Sequence, residues 1–141
     1  KITDYIILLL SMFPNLSNIS DSIELGLEKA KNFYADEVEL KNYSRLFQKD
    51  FKNLSEDEIK SSGYVVHTLE AALWCLLNTE SYKSCVLKAV NLGEDTDTVA
   101  AVAGGLAGIF YGLKNILPEW LETLQNKKYL EDISDKFLKS F

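Results

Sequence analysis

Apolar residues return along this chain at helical rather than strand spacing. Ile23, Leu27, Ala30 and the Phe33/Tyr34 pair line one side of a helix, with Ser20 standing where an N-cap belongs. Val38, Leu46 and Phe47 suggest a further, weaker helix. Ser55 and Glu58 have capping-box spacing ahead of a short helical turn. Val65, Leu69, Ala72, Leu73 and Leu76 predict one strong helix, and Tyr82, Cys85, Val86, Ala89 and Val90 predict the next. Pro118 sits at a helix start and is followed by Trp120, Leu121 and Leu124. Ile133, Phe137, Leu138 and Phe141 mark a last helix. Sustained two-residue alternation is missing, and so are Asn-Gly and Asp-Gly hairpin turns. The pattern therefore predicts an all-α chain with short connections, no linker and no repeat.

Composition narrows the class. The 141 residues suit one domain, and 47% hydrophobic with 26% charged residues is globular rather than disordered. A net charge of −6 and a single arginine, Arg45, argue against a reader of nucleic-acid phosphates. Cys75 and Cys85 are too few for a disulfide framework and read as buried, reduced thiols. One histidine, His67, and no CxxC disfavour a thiolate–imidazole metal site. The apolar start, Ile2 to Leu10, carries Asp4 and lacks a basic leader. The apolar run Val99 to Leu113 is shorter than the ~20 residues of a membrane span. The expectation is a soluble, cytoplasmic protein with no membrane partner. The chain begins at Lys1 and its one methionine is Met12, which suggests a processed chain or a piece of a longer one.

Ala100, Gly104, Gly108 and Gly112 fall four apart and predict a small-residue stripe on one helix face, widened by Ala103 and Ala107. With Gly105, the four glycines would cost that helix about 4 kcal/mol against alanine. Close approach of a neighbouring helix backbone is the simplest gain that offsets it; direct ligand contact is the alternative.

The candidate chemistry stands just before this helix. Asn91-Leu92-Gly93-Glu94-Asp95-Thr96-Asp97-Thr98 places two carboxylates two residues apart, then a hydroxyl. Such oxygens suit a hard cation such as Mg²⁺, and a loop entering a helix can aim them at one point. The competing reading is that Asp95 or Asp97 is simply an N-cap favoured by the helix dipole. An EF-hand, a phosphate-binding GxxxxGK[ST] loop, a GxGxxG turn and a Ser/His/Asp set are all excluded by the sequence.

Three stretches in this order resemble the ADP-ribosylglycohydrolase family. They are Ser62-Gly63-Tyr64-Val65-Val66-His67-Thr68-Leu69-Glu70-Ala71-Ala72-Leu73-Trp74, then the segment from Ala89 through the loop to Gly108, then Pro118-Glu119-Trp120. The resemblance covers about residues 60–125 and is weaker before them. It implies an all-α orthogonal helical bundle whose cleft binds ADP-ribose above two Mg²⁺ ions, or Mn²⁺. It implies Asp95, Asp97 and Thr98 as metal ligands, and Gly63 and Tyr64 as substrate-contacting residues. Tyr64 would stack on a base or ribose face, its alternative being a core tyrosine. The implied activity is Mg²⁺-dependent hydrolysis of the glycosidic bond between ADP-ribose and a modified target, such as an ADP-ribosylated protein. Which linkage is cut does not follow, and no catalytic acid or base can be named.

Several departures qualify this. Glu94 replaces the loop's usual second glycine, and His67 stands where an aspartate is common. His67 reads as a helix-surface or satisfied core histidine and receives no role. The family's N-terminal Thr-Asp-Asp motif and Gly-Asp-Ala-x-Gly segment do not occur in these residues. The resemblance thus places residues 1–141 as roughly the C-terminal half of one domain, with the metal loop at 93–98 and the Ser-Gly-Tyr segment at 62–64. This half would supply part of a binuclear site and be inactive alone. It would expose apolar surface, especially beside the glycine stripe, and meet either the N-terminal half of the same domain or a second copy. The alternative is a non-catalytic ADP-ribose-binding or helical interaction module derived from the same family.

Overall fold

A computed structural model describes residues 18–140. They hold six α-helices and no strand: α1 (Ile19–Phe33), α2 (Val65–Leu77), α3 (Tyr82–Val90), α4 (Thr96–Tyr111), α5 (Pro118–Thr123) and α6 (Lys127–Leu138). The apolar start at Ile2–Leu10 and the terminal Phe141 lie outside the described residues. No helix among the described residues is long and apolar enough to cross a membrane.

α1 begins two residues earlier than its sequence suggests. Asn18 is the N-cap; its side chain accepts from the Ser20 N–H, so Ser20 lies inside the helix. An amide oxygen at the cap satisfies an otherwise orphaned donor, and Asn18 reaches it first. The helix buries Ile23, Leu27 and Ala30, as its spacing predicts, but Phe33, placed on the same face, is exposed because the helix ends there, with Tyr34 as its C-cap. The weak helix at Val38–Phe47 is a 3₁₀ segment, followed by 3₁₀ turns at Phe51–Asn53 and Glu56–Glu58. Only Tyr43 and Leu46 are buried in the first of these, too few to hold an α-helical stripe on the core. The capping box forms: the Glu58 carboxylate accepts from the Ser55 N–H and hydroxyl.

α2 is the centre of the core. Leu69, Ala71, Ala72, Leu73 and Cys75 are fully buried, and Val66, Trp74 and Leu76 nearly so. A helix this apolar on most sides belongs inside, and each buried leucine contributes about 2 kcal/mol. α4 packs on both α2 and α3. Polar ties hold the 3₁₀ segments against α2. Trp74 Nε1 donates to the Leu54 carbonyl at 3.1 Å, and Asn78 Nδ2 donates to the Lys52 carbonyl at 3.0 Å. Arg45 meets the buried Glu70 carboxylate at 3.6 Å and donates to the Glu58 carbonyl at 2.9 Å.

The glycine stripe differs from its sequence reading. Gly112 is not helical: it caps α4 at φ +79°, a conformation open to glycine at little cost. Gly104 and Gly108 do receive α3, but through the Tyr82 side chain. A methyl group at Gly104 would meet Tyr82 Oη at 3.4 Å and Val86 Cγ2 at 3.5 Å. Gly105 faces open space. The stripe therefore admits an aromatic ring rather than a helix backbone. Near it, Ile109 and Leu113 stand exposed. Further along, α6 buries none of its residues, and Tyr129, Leu130, Ile133, Phe137 and Leu138 are all exposed.

Candidate metal and ligand site

The loop between α3 and α4 folds back on the segment that precedes α2. Gly93 (φ +89°) and Glu94 (φ +51°) take consecutive left-handed conformations, which turn the chain sharply into α4. Gly93 adopts this freely. Glu94 does so against its side chain, which explains why a glycine suits that position better. The turn is pinned from the other side by Ser61, which is buried. Its hydroxyl donates to the Gly93 carbonyl at 2.9 Å, and its carbonyl accepts from the Asp95 N–H at 3.1 Å. Sequence reasoning gave Ser61 no part; a small polar residue just ahead of Ser-Gly-Tyr was the available signal.

Asp95 occupies the N-cap position of α4, yet its side chain caps no backbone amide. It instead accepts from the Thr98 hydroxyl at 2.8 Å through Oδ1. The simple capping reading therefore fails for this carboxylate, which keeps lone pairs for another partner. Its second oxygen, Oδ2, faces Gly63: a methyl group there would lie 2.7 Å from it. The backbone of the Ser-Gly-Tyr segment thus passes against the Asp95 carboxylate as closely as a residue without a side chain allows. Asp97 lies exposed in the first turn of α4. Its interaction with the neighbouring Asp95 side chain, and then the amides of Thr98 and Asp97, hold its carboxyl below the usual range.

The structure brings Asp95, Thr98 and Gly63 together. Tyr64 follows directly, is 49% exposed, and so is not the core tyrosine of the alternative reading. Its ring meets the His67 ring edge-to-face, with centroids 5.1 Å apart. His67 is partly buried and bonds Ser62: Oγ and Nδ1 are 2.7 Å apart. Burial foremost, then the Lys60 charge, lowers its pKa, with Glu94 opposing and Arg45 adding to the shift. These influences together favour the neutral imidazole.

As donors, Asp95, Asp97 and Thr98 suit a hard divalent cation in kind, being carboxylate and hydroxyl oxygens. They fall short in number. Among the described residues no three His, Cys, Asp or Glu side chains form a metal-holding group. Cys75 and Cys85 are buried free thiols remote from such chemistry; burial pushes Cys75 up to about 12. A cavity of about 620 Å³ opens elsewhere, beside α1, lined by Ile23, Leu27, Leu46, Phe47, Phe51 and Leu77 among others. No residue of the Asp95 loop lines it.

Known proteins are similar to part of this chain in sequence. The chain is 42% identical over 87 residues to the ADP-ribosylarginine hydrolase Tri1 of Serratia proteamaculans, covering 62% of this chain and 24% of that protein. The Pseudomonas putida protein of the same name is 44% identical, with the same coverage. The ADP-ribosyl-[dinitrogen reductase] glycohydrolase of Rhodospirillum rubrum is 43% identical over 68 residues, covering 48% of this chain and 23% of that protein. The chain spans about a quarter of the length of these curated relatives. The pattern that defines the family described as ADP-ribosylglycohydrolase matches residues 6–141, and the chain belongs to that family.

Proposed function

We propose that the intact protein hydrolyses the glycosidic bond between ADP-ribose and a modified protein side chain, and that this chain supplies part of a binuclear Mg²⁺ site. The observation that carries the proposal is the apposition of Gly63 to the Asp95 carboxylate, which Thr98 holds and no backbone amide claims. A carboxylate at a helix start that caps no amide keeps its remaining lone pairs for another partner. Relatives named as ADP-ribosyl hydrolases support the reaction class.

In this reading Asp95, Asp97 and Thr98 hold the metal. When bound, such an ion polarises substrate oxygens and lowers the pKa of water. Thr98 fixes the rotamer of Asp95 through their 2.8 Å bond. Gly63 lets the ligand-binding segment lie against that carboxylate without displacing it. Tyr64 offers an exposed ring face to a base or ribose. The rest of the ligand set, and the acid or base that assists the leaving group, come from other parts of the intact protein. The exposed side chains of Ile109, Leu113 and α6 support a companion proposal, that this surface packs against the N-terminal half of the same domain.

The test is release of ADP-ribose from an ADP-ribosyl-arginine peptide by the intact protein with and without Mg²⁺. Asp95→Ala and Asp97→Ala should each abolish metal-dependent release. Undiminished turnover in both variants would sink the assignment.

A further inference from the structure

We propose that His67 is a positioning residue for the ligand-binding segment, acting through Ser62; this rests on the reading of the Gly63–Tyr64 site given above. Tyr64 is exposed and caps the start of α2, its carbonyl accepting from the Thr68 N–H at 3.0 Å; that bond fixes the backbone of residues 62–64 at their end but not the Tyr64 ring. Something other than helix geometry must therefore hold the ring in one orientation. His67 sits one helical turn into α2, on the same side as this segment, and it makes both of the contacts that do so.

The first contact is a chain of hydrogen bonds. The Tyr64 N–H points to Ser62 Oγ at 3.5 Å, a long contact, and Ser62 Oγ lies 2.7 Å from His67 Nδ1. We assign the Oγ proton to Nδ1, which leaves the ring proton on Nε2. Thr68 reinforces the fold of the segment: its hydroxyl lies 3.3 Å from both the Ser62 and the Tyr64 carbonyls. The second contact is the edge-to-face packing of the two rings, nearly perpendicular at 88°. The stem of the Ser-Gly-Tyr segment is thus fixed from α2, while Gly63 in its middle passes the Asp95 carboxylate. A free segment would pay ordering entropy each time a ligand bound; a fixed one does not.

The two contacts can be separated by substitution. His67→Phe keeps a ring edge for Tyr64 and removes the acceptor. His67→Asn removes the ring and keeps an acceptor two bonds from Cβ, where Nδ1 stands. Ser62→Ala removes the other end of the bond without touching α2. Each is made in the intact protein and read two ways: by hydrogen exchange of residues 61–68, and by the kinetics of ADP-ribosyl-arginine cleavage with Mg²⁺. The expected result is that His67→Phe and Ser62→Ala each raise exchange in this segment and raise KM about fivefold, the scale of one lost hydrogen bond, with kcat changed less than about twofold. The double variant should be no worse than His67→Phe alone, and His67→Asn, which loses the ring contact but keeps the hydrogen bond, should raise exchange and KM by less than His67→Phe does. Unchanged exchange and KM in His67→Phe and Ser62→Ala would overturn the proposal, as would strictly additive effects. If exchange rises as expected but the wild-type protein neither binds nor cleaves the substrate, the positioning role is supported and the glycohydrolase reading is overturned.

Discussion

Gly63→Ala isolates the contact on which the site depends. Gly63 is not in the left-handed region, so alanine meets no backbone strain there. Its added methyl would lie 2.7 Å from Asp95 Oδ2, where ordinary contact begins at 3.4 Å. The carboxylate must therefore retreat by about 0.7 Å, a shift large enough in a catalytic constellation to cost on the order of 10²-fold in rate. Asp95 cannot retreat cheaply, because Thr98 holds Oδ1 at 2.8 Å and Ser61 holds the Asp95 N–H at 3.1 Å. Losing the Thr98 bond costs about 1 kcal/mol of stability. Replacing glycine returns about 0.4–1 kcal/mol through the unfolded chain. The two nearly cancel, so melting should move by no more than about 3 °C while kcat/KM falls roughly 10–100-fold. The assay is ADP-ribosyl-arginine cleavage by the intact protein across a Mg²⁺ titration, beside a thermal melt. Full activity and unchanged metal dependence in Gly63→Ala would refute the reasoning, since the clash would then have no functional consequence.

Other positions give independent checks. Glu94 pays for its left-handed backbone (φ +51°), so Glu94→Gly should be more stable than Glu94→Ala by about 1 kcal/mol in chemical denaturation; equal stabilities would show that the turn is unstrained. Cys75 and Cys85 are buried, with Cys75 pushed up to about 12, so a thiol reagent at pH 8 should label neither in the native protein and both after unfolding. Burial raises the Glu70 pKa against the opposing charges of Arg45 and Lys60. Its ionised form therefore weakens the folded state at neutral pH, and that loss is recovered as pH falls through the raised folded value toward the unfolded one near 4.5. Wild-type stability relative to Glu70→Gln should accordingly rise over this acidic window, and a flat difference would contradict the burial of a charged Glu70.

Legibility in the sequence followed how local each determinant was. α2 was plain because its apolar residues recur at helical spacing around a fully buried segment, and α4 because small and apolar residues follow one acidic loop. Val38–Phe47 was less plain: its few apolar residues fit a helix, and only tertiary packing decides between α and 3₁₀ geometry. Gly112 shared the spacing of Gly104 and Gly108, but a four-residue interval carries no information about where the helix ends. At the site, the Asp95–Thr98 pair lies three residues apart and was visible as a motif. The Ser61–Gly93 and Gly63–Asp95 contacts join positions some thirty residues apart. Spacing could not show them, although the family resemblance grouped the same segments. His67–Ser62 was local yet overlooked, because a lone histidine near an apolar helix has many ordinary explanations.

In the proposed site Asp95, Asp97 and Thr98 hold a divalent metal. Electron paramagnetic resonance of Mn²⁺ titrated into the intact protein reads this without reference to turnover. We expect saturable Mn²⁺ binding that Mg²⁺ competes away, weakened at least about 10-fold in Asp95→Asn and in Asp97→Asn, the scale seen even for losing a ligand's supporting partner. Mn²⁺ bound with full wild-type affinity in both variants would contradict it.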